Sequence, residues 1–223
     1  PFTPWPDRDP SMAAAAAALG ERLQISRARA EAWATDSHAK AMGDPSAEIV
    51  PLLGVTRDPF ARRLTPALLA RAPVVAGDVT AATAAVAADG AAICLVVSER
   101  VARGRGLALV AGVTLGADPE EPGLAPLAAI RRIWGGEALQ MVEEIMEAYA
   151  VQAIAVVDEA GIDPRIVNPG GGALARGHPI GASGAILAVR LFHGLRQGRG
   201  LAAIASAGGI GTALLLDSAP GKE

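Results

Sequence analysis

A largely apolar helical stretch from Ala185 to Leu195 follows a turn built mainly from glycine, and this junction constrains the fold more than any other part of the chain. The turn reads Gly-His-Pro-Ile-Gly-Ala-Ser-Gly over residues 177–184, after the run Asn-Pro-Gly-Gly-Gly-Ala-Leu-Ala-Arg at 168–176. Glycine allows positive φ and close backbone approach, and a helix start offers unpaired N–H groups. His178 is therefore predicted to be held at a helix start, ready for acid/base chemistry. A purely structural turn is the alternative.

The helix predicted from Ile180 to Leu195 is apolar on nearly every side, which is typical of a helix buried between two layers. From Val74 onward candidate strands and helices alternate, as an α/β fold requires. The predicted strands are 91–98, 108–115, a short one near 141, 166–168, 202–205 and 212–217. The predicted helices are 125–133, 147–160 and 180–195.

Composition excludes several classes of protein. The chain contains no block of basic residues and no uninterrupted apolar run of about 18 residues, so we expect neither a nucleic-acid partner nor a membrane span. Its one cysteine, Cys94, excludes an intrachain disulfide and favours the cytoplasm. Because Cys94 lies inside the apolar run 91–98, it is predicted to be a core residue of a buried strand.

The first third of the chain differs in composition and pattern from the rest. An alanine run at 13–18 precedes Ser26, which is a candidate N-cap for a helix reaching Met42. The sequence Arg-Ala-Pro at 71–73 marks the boundary with the alternating region. We therefore divide the chain into residues 1–73 and 74–223.

Three ordered motifs together resemble the thiolase family. They are the turn at 168–184, the sequence Glu-Ala-Tyr at 147–149 and the sequence Ala-Ser-Ala-Gly-Gly-Ile-Gly at 205–211, which lies between two strand-like runs. The resemblance implies an α/β fold that is half of a thiolase-like layered sandwich, with a mixed five-stranded sheet and a buried helix. It further implies that 1–73 is the remnant of a loop domain that covers the coenzyme A site, and that 74–223 is the C-terminal α/β domain.

The resemblance also assigns candidate site residues. His178 matches the histidine that activates a nucleophilic cysteine, and the amide of Ala207 matches a backbone donor of the oxyanion hole. Glu147 matches a motif glutamate and is predicted to orient the site. The predicted substrate-binding positions are Gly177, Pro179 and Gly209.

At four positions the chain departs from the family pattern. Ala205 stands in place of the second catalytic cysteine, and Met146 in place of the asparagine that fixes an oxyanion-hole water. Ala85 replaces a serine that touches the pantetheine arm of coenzyme A, and Ser11 replaces a histidine of the loop domain. Since alanine transfers no proton and a thioether donates no hydrogen bond, the condensation chemistry is expected to be impaired.

Two hypotheses about function follow. In the first, the chain is a thiolase-like acyltransferase subunit acting on acyl thioesters of coenzyme A or a carrier, in a hetero-oligomer whose second thiolase-like chain supplies the nucleophilic cysteine. In the second, it is a non-catalytic pseudo-thiolase subunit that stabilises a catalytic partner. The half of a thiolase that bears the nucleophile has no counterpart here. We expect no tightly bound cofactor and no metal, because His38 and His193 lack ligands at metal-binding spacing.

Overall fold

Two serines begin the first helices of the chain. The computed structural model describes residues 2–44 and 47–218, and for Met141, Glu143 and Glu144 it describes only the backbone. The Ser11 side chain accepts a hydrogen bond from the Ala14 N–H, and the Ser26 side chain accepts one from the Arg29 N–H. Both caps satisfy backbone donors that a helix start leaves unpaired. The predicted N-cap at Ser26 is confirmed.

The described elements follow one another along the chain with short connections in most places. Their order is α1 (Met12–Arg22), α2 (Arg27–Gly43), α3 (Pro66–Arg71), β1 (Val74–Ala76), β2 (Val79–Thr80), α4 (Glu99–Ala102), β3 (Leu107–Gly116), α5 (Ala125–Ile133), β4 (Met141–Ile145), α6 (Ala150–Ala160), α7 (Ala173–Arg176), α8 (Ser183–Gly194), β5 (Arg199–Ser206) and β6 (Ile210–Ser218). Single 3-10 turns lie at Pro6–Arg8, Pro122–Leu124 and Pro164–Ile166.

The main sheet is mixed, with the strand order β3-β6-β5-β4. The β3–β6 and β6–β5 pairs are antiparallel, whereas β5 and β4 are parallel. The α/β class is confirmed, but the sheet has four strands rather than the predicted five. The predicted strand 166–168 is reduced to one bridge, in which Val167 pairs with Val142 and the Asn168 N–H donates to the Val142 carbonyl at 2.9 Å.

Helices cover both faces of this sheet. On one face, Leu201, Ala203, Ala213 and Leu215 pack with residues of α5 and α6. On the other face, alternate residues of the same strands pack with Leu187, Leu191 and Leu195 of the α8 region. Helices α1 and α2 pack through buried alanines against α6. Small side chains at these contacts allow the helices to approach closely.

The helix α8 is buried on one side only. It rests on β4 and β5, while Phe192 on its outer side is 42% exposed. The prediction of a helix buried between two sheets is therefore wrong for this chain by itself. The sequence made the helix apolar all round, but the described residues supply a layer for only one of its faces.

A second apolar surface is the segment 91–98, which we call the apolar strap. It forms no strand, and Ile93, Leu95 and Val96 are 92%, 88% and 78% exposed. Consecutive apolar residues need cover on both sides of a strand, and no described element covers either side. The predictions of a strand at 91–98 and of a buried Cys94 are both wrong, because Cys94 is exposed.

The structure shortens the helix predicted from 147. Residues 147–149 are not helical: Ala148 forms a bend, Tyr149 forms a bridge with Ala84, and α6 starts at Ala150. This places Glu147 in the connection between β4 and α6, two residues after the end of β4. Over the described residues, no helix combines the length and the apolarity needed to cross a membrane.

A buried histidine on α2 makes stability depend on pH. His38 is 3% exposed, and its Nδ1 accepts the Arg62 N–H at 3.2 Å. Burial, assisted by the positive charge of Arg62, lowers the pKa of His38 from 6.5 to about 4. The unfolded chain therefore takes up this proton first as pH falls. The contribution of His38 to the free energy of unfolding is present above pH 6.5 and is lost between 6.5 and about 4.

We expect His38→Gln to flatten this part of the pH profile. The loss of unfolding free energy that it removes is at most about 3 to 4 kcal/mol, because the pKa is lowered from 6.5 to about 4 and each pKa unit corresponds to about 1.4 kcal/mol. Urea unfolding at a series of pH values measures it, with His193→Gln on the exposed part of α8 as the control. Parallel profiles for His38→Gln and the unmodified chain would contradict the prediction.

Candidate functional site

The backbone on either side of His178 is held by packing and by hydrogen bonds. Gly177 has φ +89°, and a Cβ there would lie 2.8 Å from Ala88 Cβ and 3.0 Å from the ring of Phe60. The His178 N–H donates to the Val86 carbonyl at 2.7 Å, and the Ala88 N–H donates back to the His178 carbonyl at 3.4 Å. Glycine is thus required at 177 by both conformation and space, and His178 is fixed against the segment 86–88.

The hydrogen bonds of the His178 ring determine which nitrogen is the base. Nδ1 lies 2.8 Å from Ser183 Oγ, and Ser183 Oγ donates to the Pro179 carbonyl at 3.0 Å. A hydroxyl has one proton, so with that proton assigned to the Pro179 carbonyl Ser183 accepts at the histidine contact, and the N–H is assigned to Nδ1. Within the described residues Nδ1 is the ring nitrogen with a hydrogen bond. Nε2 is therefore left as the acceptor.

Burial also affects the protonation of the His178 ring. His178 is half-buried, and this loss of hydration lowers its pKa below the usual 6.5. The neutral form, with a lone pair on Nε2, is thus the main form at neutral pH. A neutral imidazole held in this way can accept a proton at Nε2, and the predicted role of His178 as a base stays a prediction.

Ser183 received no role in the sequence analysis, although a local signal existed. It is the first residue of α8, five positions after His178, and it is 2% exposed. A serine at a helix start commonly bonds the carbonyl four residues earlier, here that of Pro179. That bond commits the only hydroxyl proton.

We expect Ser183→Ala to mix the two tautomers of His178. Without Ser183 Oγ, Nδ1 loses its acceptor, and the preference for the Nδ1–H form disappears. Nitrogen-15 NMR of the ring distinguishes the tautomers directly. Ser183→Thr keeps the hydroxyl and is the matched control. An unchanged tautomer in Ser183→Ala would show that another group controls the ring.

Glu147 lies inside the protein and does not reach a substrate. It is 0% exposed, and its carboxylate accepts hydrogen bonds from Trp33 Nε1 at 3.0 Å, Ser37 Oγ at 2.7 Å and Asn168 Nδ2 at 2.7 Å. Burial raises its pKa, and these donors oppose that effect. Glu147 thus connects α2 to the turn that leads to His178, and its predicted role in orienting the site stays a prediction.

The partners of Glu147 on α2 were not found from the sequence. Trp33 and Ser37 are four residues apart and share one face of the helix. Ser37 also accepts the Gly172 N–H at 3.0 Å, so it contacts both the carboxylate and the turn. No local pattern links these residues to Glu147, because more than 100 residues of sequence separate them.

The Ala207 amide lies in the three-residue loop 207–209 between β5 and β6, in which Ala207 and Gly208 are exposed. In the described part of the chain no backbone hydrogen bond engages it, so the N–H remains available. Gly209 is buried beside it, where a Cβ would lie 2.5 Å from the Ala117 carbonyl oxygen. Packing thus explains the glycine at 209. The predicted roles of Ala207 and Gly209 toward a ligand stay predictions.

The four departures from the family pattern lie in different surroundings. Ala205 is half-buried at the end of β5, opposite Gly211 of β6. Met146 is 2% exposed and packs in the cluster beneath α8, with Ala85 at its margin. Ser11 is exposed and uses its side chain to cap α1. The polar group at 11 therefore serves the helix, and the other three positions carry no polar side chain.

A cleft of about 440 Å³ adjoins the histidine turn. Residues 88–92 form one wall, and Ala185 together with residues 179–182 forms the other. Pro179, predicted to bind substrate, lies in this cleft, whereas Gly177 and Gly209 do not line it. Of the described residues, no group of three or more His, Cys, Asp or Glu side chains is arranged to hold a metal ion.

Comparison with known proteins gives consistent matches. A family model of the thiolase C-terminal domain matches residues 106–218. An acetyl-CoA acetyltransferase of Shinella zoogloeoides is 37% identical over 90% of this chain and 58% of its own length. A putative acetyl-CoA C-acetyltransferase of Bacillus subtilis is 36% identical over 97% of this chain and 66% of its own.

Solved structures agree with these relatives. The Bacillus anthracis acetyl-CoA acetyltransferase superposes with a TM-score of 0.84 and 30% identity, covering 92% of this chain and 59% of that one. Human mitochondrial 3-ketoacyl-CoA thiolase in complex with CoA gives a TM-score of 0.82 with 27% identity, covering 93% and 58%. The chain therefore spans less than two thirds of the length of each of these four proteins.

Proposed function

We propose, because this chain belongs to the thiolase family, that it is the histidine-bearing part of an acyltransferase that acts on acyl thioesters. The nucleophilic cysteine is supplied by a second thiolase-like chain. The proposal rests chiefly on one observation. The His178 backbone is hydrogen-bonded to residues 86 and 88, Nδ1 is paired with Ser183, and Nε2 is left as a base on the residue that precedes Pro179 of the cleft. A thiol is mostly protonated near neutral pH and needs such a base to become a nucleophile.

The exposed apolar surfaces support the need for a partner. The apolar strap and the outer side of α8 leave several large side chains in water, and exposed patches of this kind mark interaction sites. The lone thiol of the chain, Cys94, lies on the apolar strap with Sγ 3.7 Å from the Ala185 carbonyl. By the thiolase resemblance, the nucleophile belongs instead to the family's other half.

The substrate class follows from the family and from the residues retained. Relatives named acetyl-CoA acetyltransferase suggest a coenzyme A thioester, and the Ala207 amide can stabilise the oxyanion of acyl transfer. Condensation needs a further acid/base and an enolate site, where the chain has Ala205 and Met146. Acyl transfer or hydrolysis is therefore favoured over carbon–carbon bond formation. In this proposal residues 1–73 cover the acyl-donor site, and the complex is cytoplasmic.

The second candidate is a pseudo-thiolase subunit without catalysis of its own. The departures at 11, 85, 146 and 205 favour it, since three of them leave an apolar side chain where the family uses a polar one. In that case the histidine turn serves only to start α8. The chain then stabilises a catalytic partner by covering its apolar faces.

Isolation of the full chain from its native source tests both candidates. The acyltransferase proposal expects a co-purifying thiolase-like chain whose cysteine gains one acetyl group from acetyl-CoA, as seen by intact-mass and peptide mass spectrometry. Cys94→Ser is the control, and acetyl transfer to Cys94 itself would overturn the proposed source of the nucleophile. A complex that forms without acylation supports the scaffold. A monomer that melts cooperatively and binds no second chain contradicts both.

A further inference from the structure

Two arginines and three carboxylates form a cluster at the histidine turn, and none of the five lines the cleft. The side chains of Arg176 and Arg190 are only 9% and 6% exposed. Arg176 forms ion pairs of 2.6 Å with both Asp44 and Asp58, and Arg190 pairs with Glu48 at 2.8 Å. Arg176 lies within the motif at 168–184, but neither the family resemblance nor the proposed acyl transfer gives a role to it or to the rest of the cluster.

Arg176 also forms hydrogen bonds with the backbone of the turn itself. Its Nη2 donates to the Gly170 carbonyl at 2.6 Å, and its Nε lies within 3.2 Å of the Gly170 and Gly171 carbonyls. The planar guanidinium thus contacts two carboxylates and two carbonyls in one fixed geometry. A lysine, with a single ammonium, cannot reproduce that set.

The segment that carries Asp58 contacts the histidine turn at a second point. Phe60, two residues after Asp58, packs on Gly177, the residue between Arg176 and His178. The segment 58–60 therefore contacts two successive residues immediately before the histidine. Any shift of Arg176 moves the peptide that carries His178, because Gly177 is the only residue between them.

We propose that Arg176 is a positioning residue. Its guanidinium ties the turn to Asp44 and Asp58 and thereby sets the direction in which His178 Nε2 points. The catalytic consequence rests on the proposed acyl transfer, whereas the structural link between segment 47–60 and turn 168–178 does not. The two guanidinium groups are almost wholly removed from water, whereas Asp44 and Asp58 are 24% and 28% exposed. The loss of a carboxylate partner therefore leaves a buried positive charge that water hydrates poorly.

The first test measures acylation of the cysteine in the native complex. Arg176→Gln is expected to lower the maximal rate roughly tenfold to a hundredfold, the usual effect of small misplacement of a catalytic group. The KM for the acyl donor should change little, because Arg176 does not line the cleft. Arg176→Lys should recover only part of the rate. Loss of rate through a raised KM alone would overturn the proposal.

A second variant distinguishes a positioning role of Arg176 from general misfolding of the Arg176→Gln chain. Asp58→Asn removes one partner at a 28% exposed side chain and should reduce the rate less. The double variant should be no slower than Arg176→Gln alone, since residues in one network act non-additively. Arg29→Gln breaks the Arg29–Asp158 pair, also 2.6 Å but exposed, and should leave the rate unchanged. Additive losses would overturn the proposal.

Hydrogen exchange of the full chain separates this proposal from the acyltransferase function. Arg176→Gln should accelerate exchange in 47–60 and in 168–178 together, while Arg29→Gln should accelerate neither. Faster exchange confined to 47–60 would overturn the link. If the unmodified complex acylates no cysteine, the proposed function fails, and coupled exchange still decides whether Arg176 holds the turn.

Discussion

Replacing His178 by alanine or asparagine is expected to slow acylation of the partner's cysteine by roughly a hundredfold to ten-thousandfold, the range typical of a general base. The ring presents Nε2 as an acceptor because Nδ1 donates to Ser183. Neither replacement offers a basic nitrogen. Single-turnover mass spectrometry of the cysteine peptide measures the effect directly.

The pH dependence of the acylation rate is a second, independent test of His178. Burial lowers the pKa of His178, so its base form persists to lower pH than in an ordinary histidine. The acid limb of the acylation profile should therefore lie below pH 6.5, and it should vanish in His178→Asn. His193→Gln, on the exposed end of α8, is the control. An unchanged rate in His178→Ala would reassign the residue to structure and favour the scaffold.

Restoring Ala205→Cys and Met146→Asn together should raise condensation far more than acylation. A positioned acid/base contributes about 10²- to 10⁴-fold and an oxyanion donor about 10²- to 10³-fold to the steps that use them. Acylation relies instead on His178 and the Ala207 amide. Formation of acetoacetyl thioester, measured beside cysteine acylation in the same complex, provides the comparison.

The structure indicates which of these two changes should be tested first. Ala205 is half-buried at a strand end, whereas Met146 is 2% exposed in the cluster beneath α8, where an amide without partners destabilises the fold. Ala205→Cys should therefore be measured alone before the double variant. Ser206→Cys places a thiol on the opposite side of β5 and is the matched control. Robust condensation by the unmodified complex would mean that a partner residue supplies the missing acid/base.

Local features of the sequence determined much of this protein. The cap at Ser26 follows from short-range hydrogen bonding, which acts within a few residues. The three ordered motifs likewise identified the family, which the thiolase C-terminal match over 106–218 confirms. These predictions succeeded because each depends on residues close together in the chain. The position of His178 was predicted less well, because it lies five residues before the first residue of α8, in a bridge with Ala87.

Tertiary structure decided the rest. The apolar strap has the composition of a buried strand. Whether such a strand is buried depends on covering layers, which must come from distant residues of the chain or from another chain. The carboxylate of Glu147 finds Trp33 and Ser37 across more than 100 residues, and Arg176 finds Asp44 and Asp58 across a similar separation. Whether Nε2 of His178 is a base depends on where one Ser183 proton goes. Such outcomes depend on distances in space, which periodicity and motif spacing do not encode.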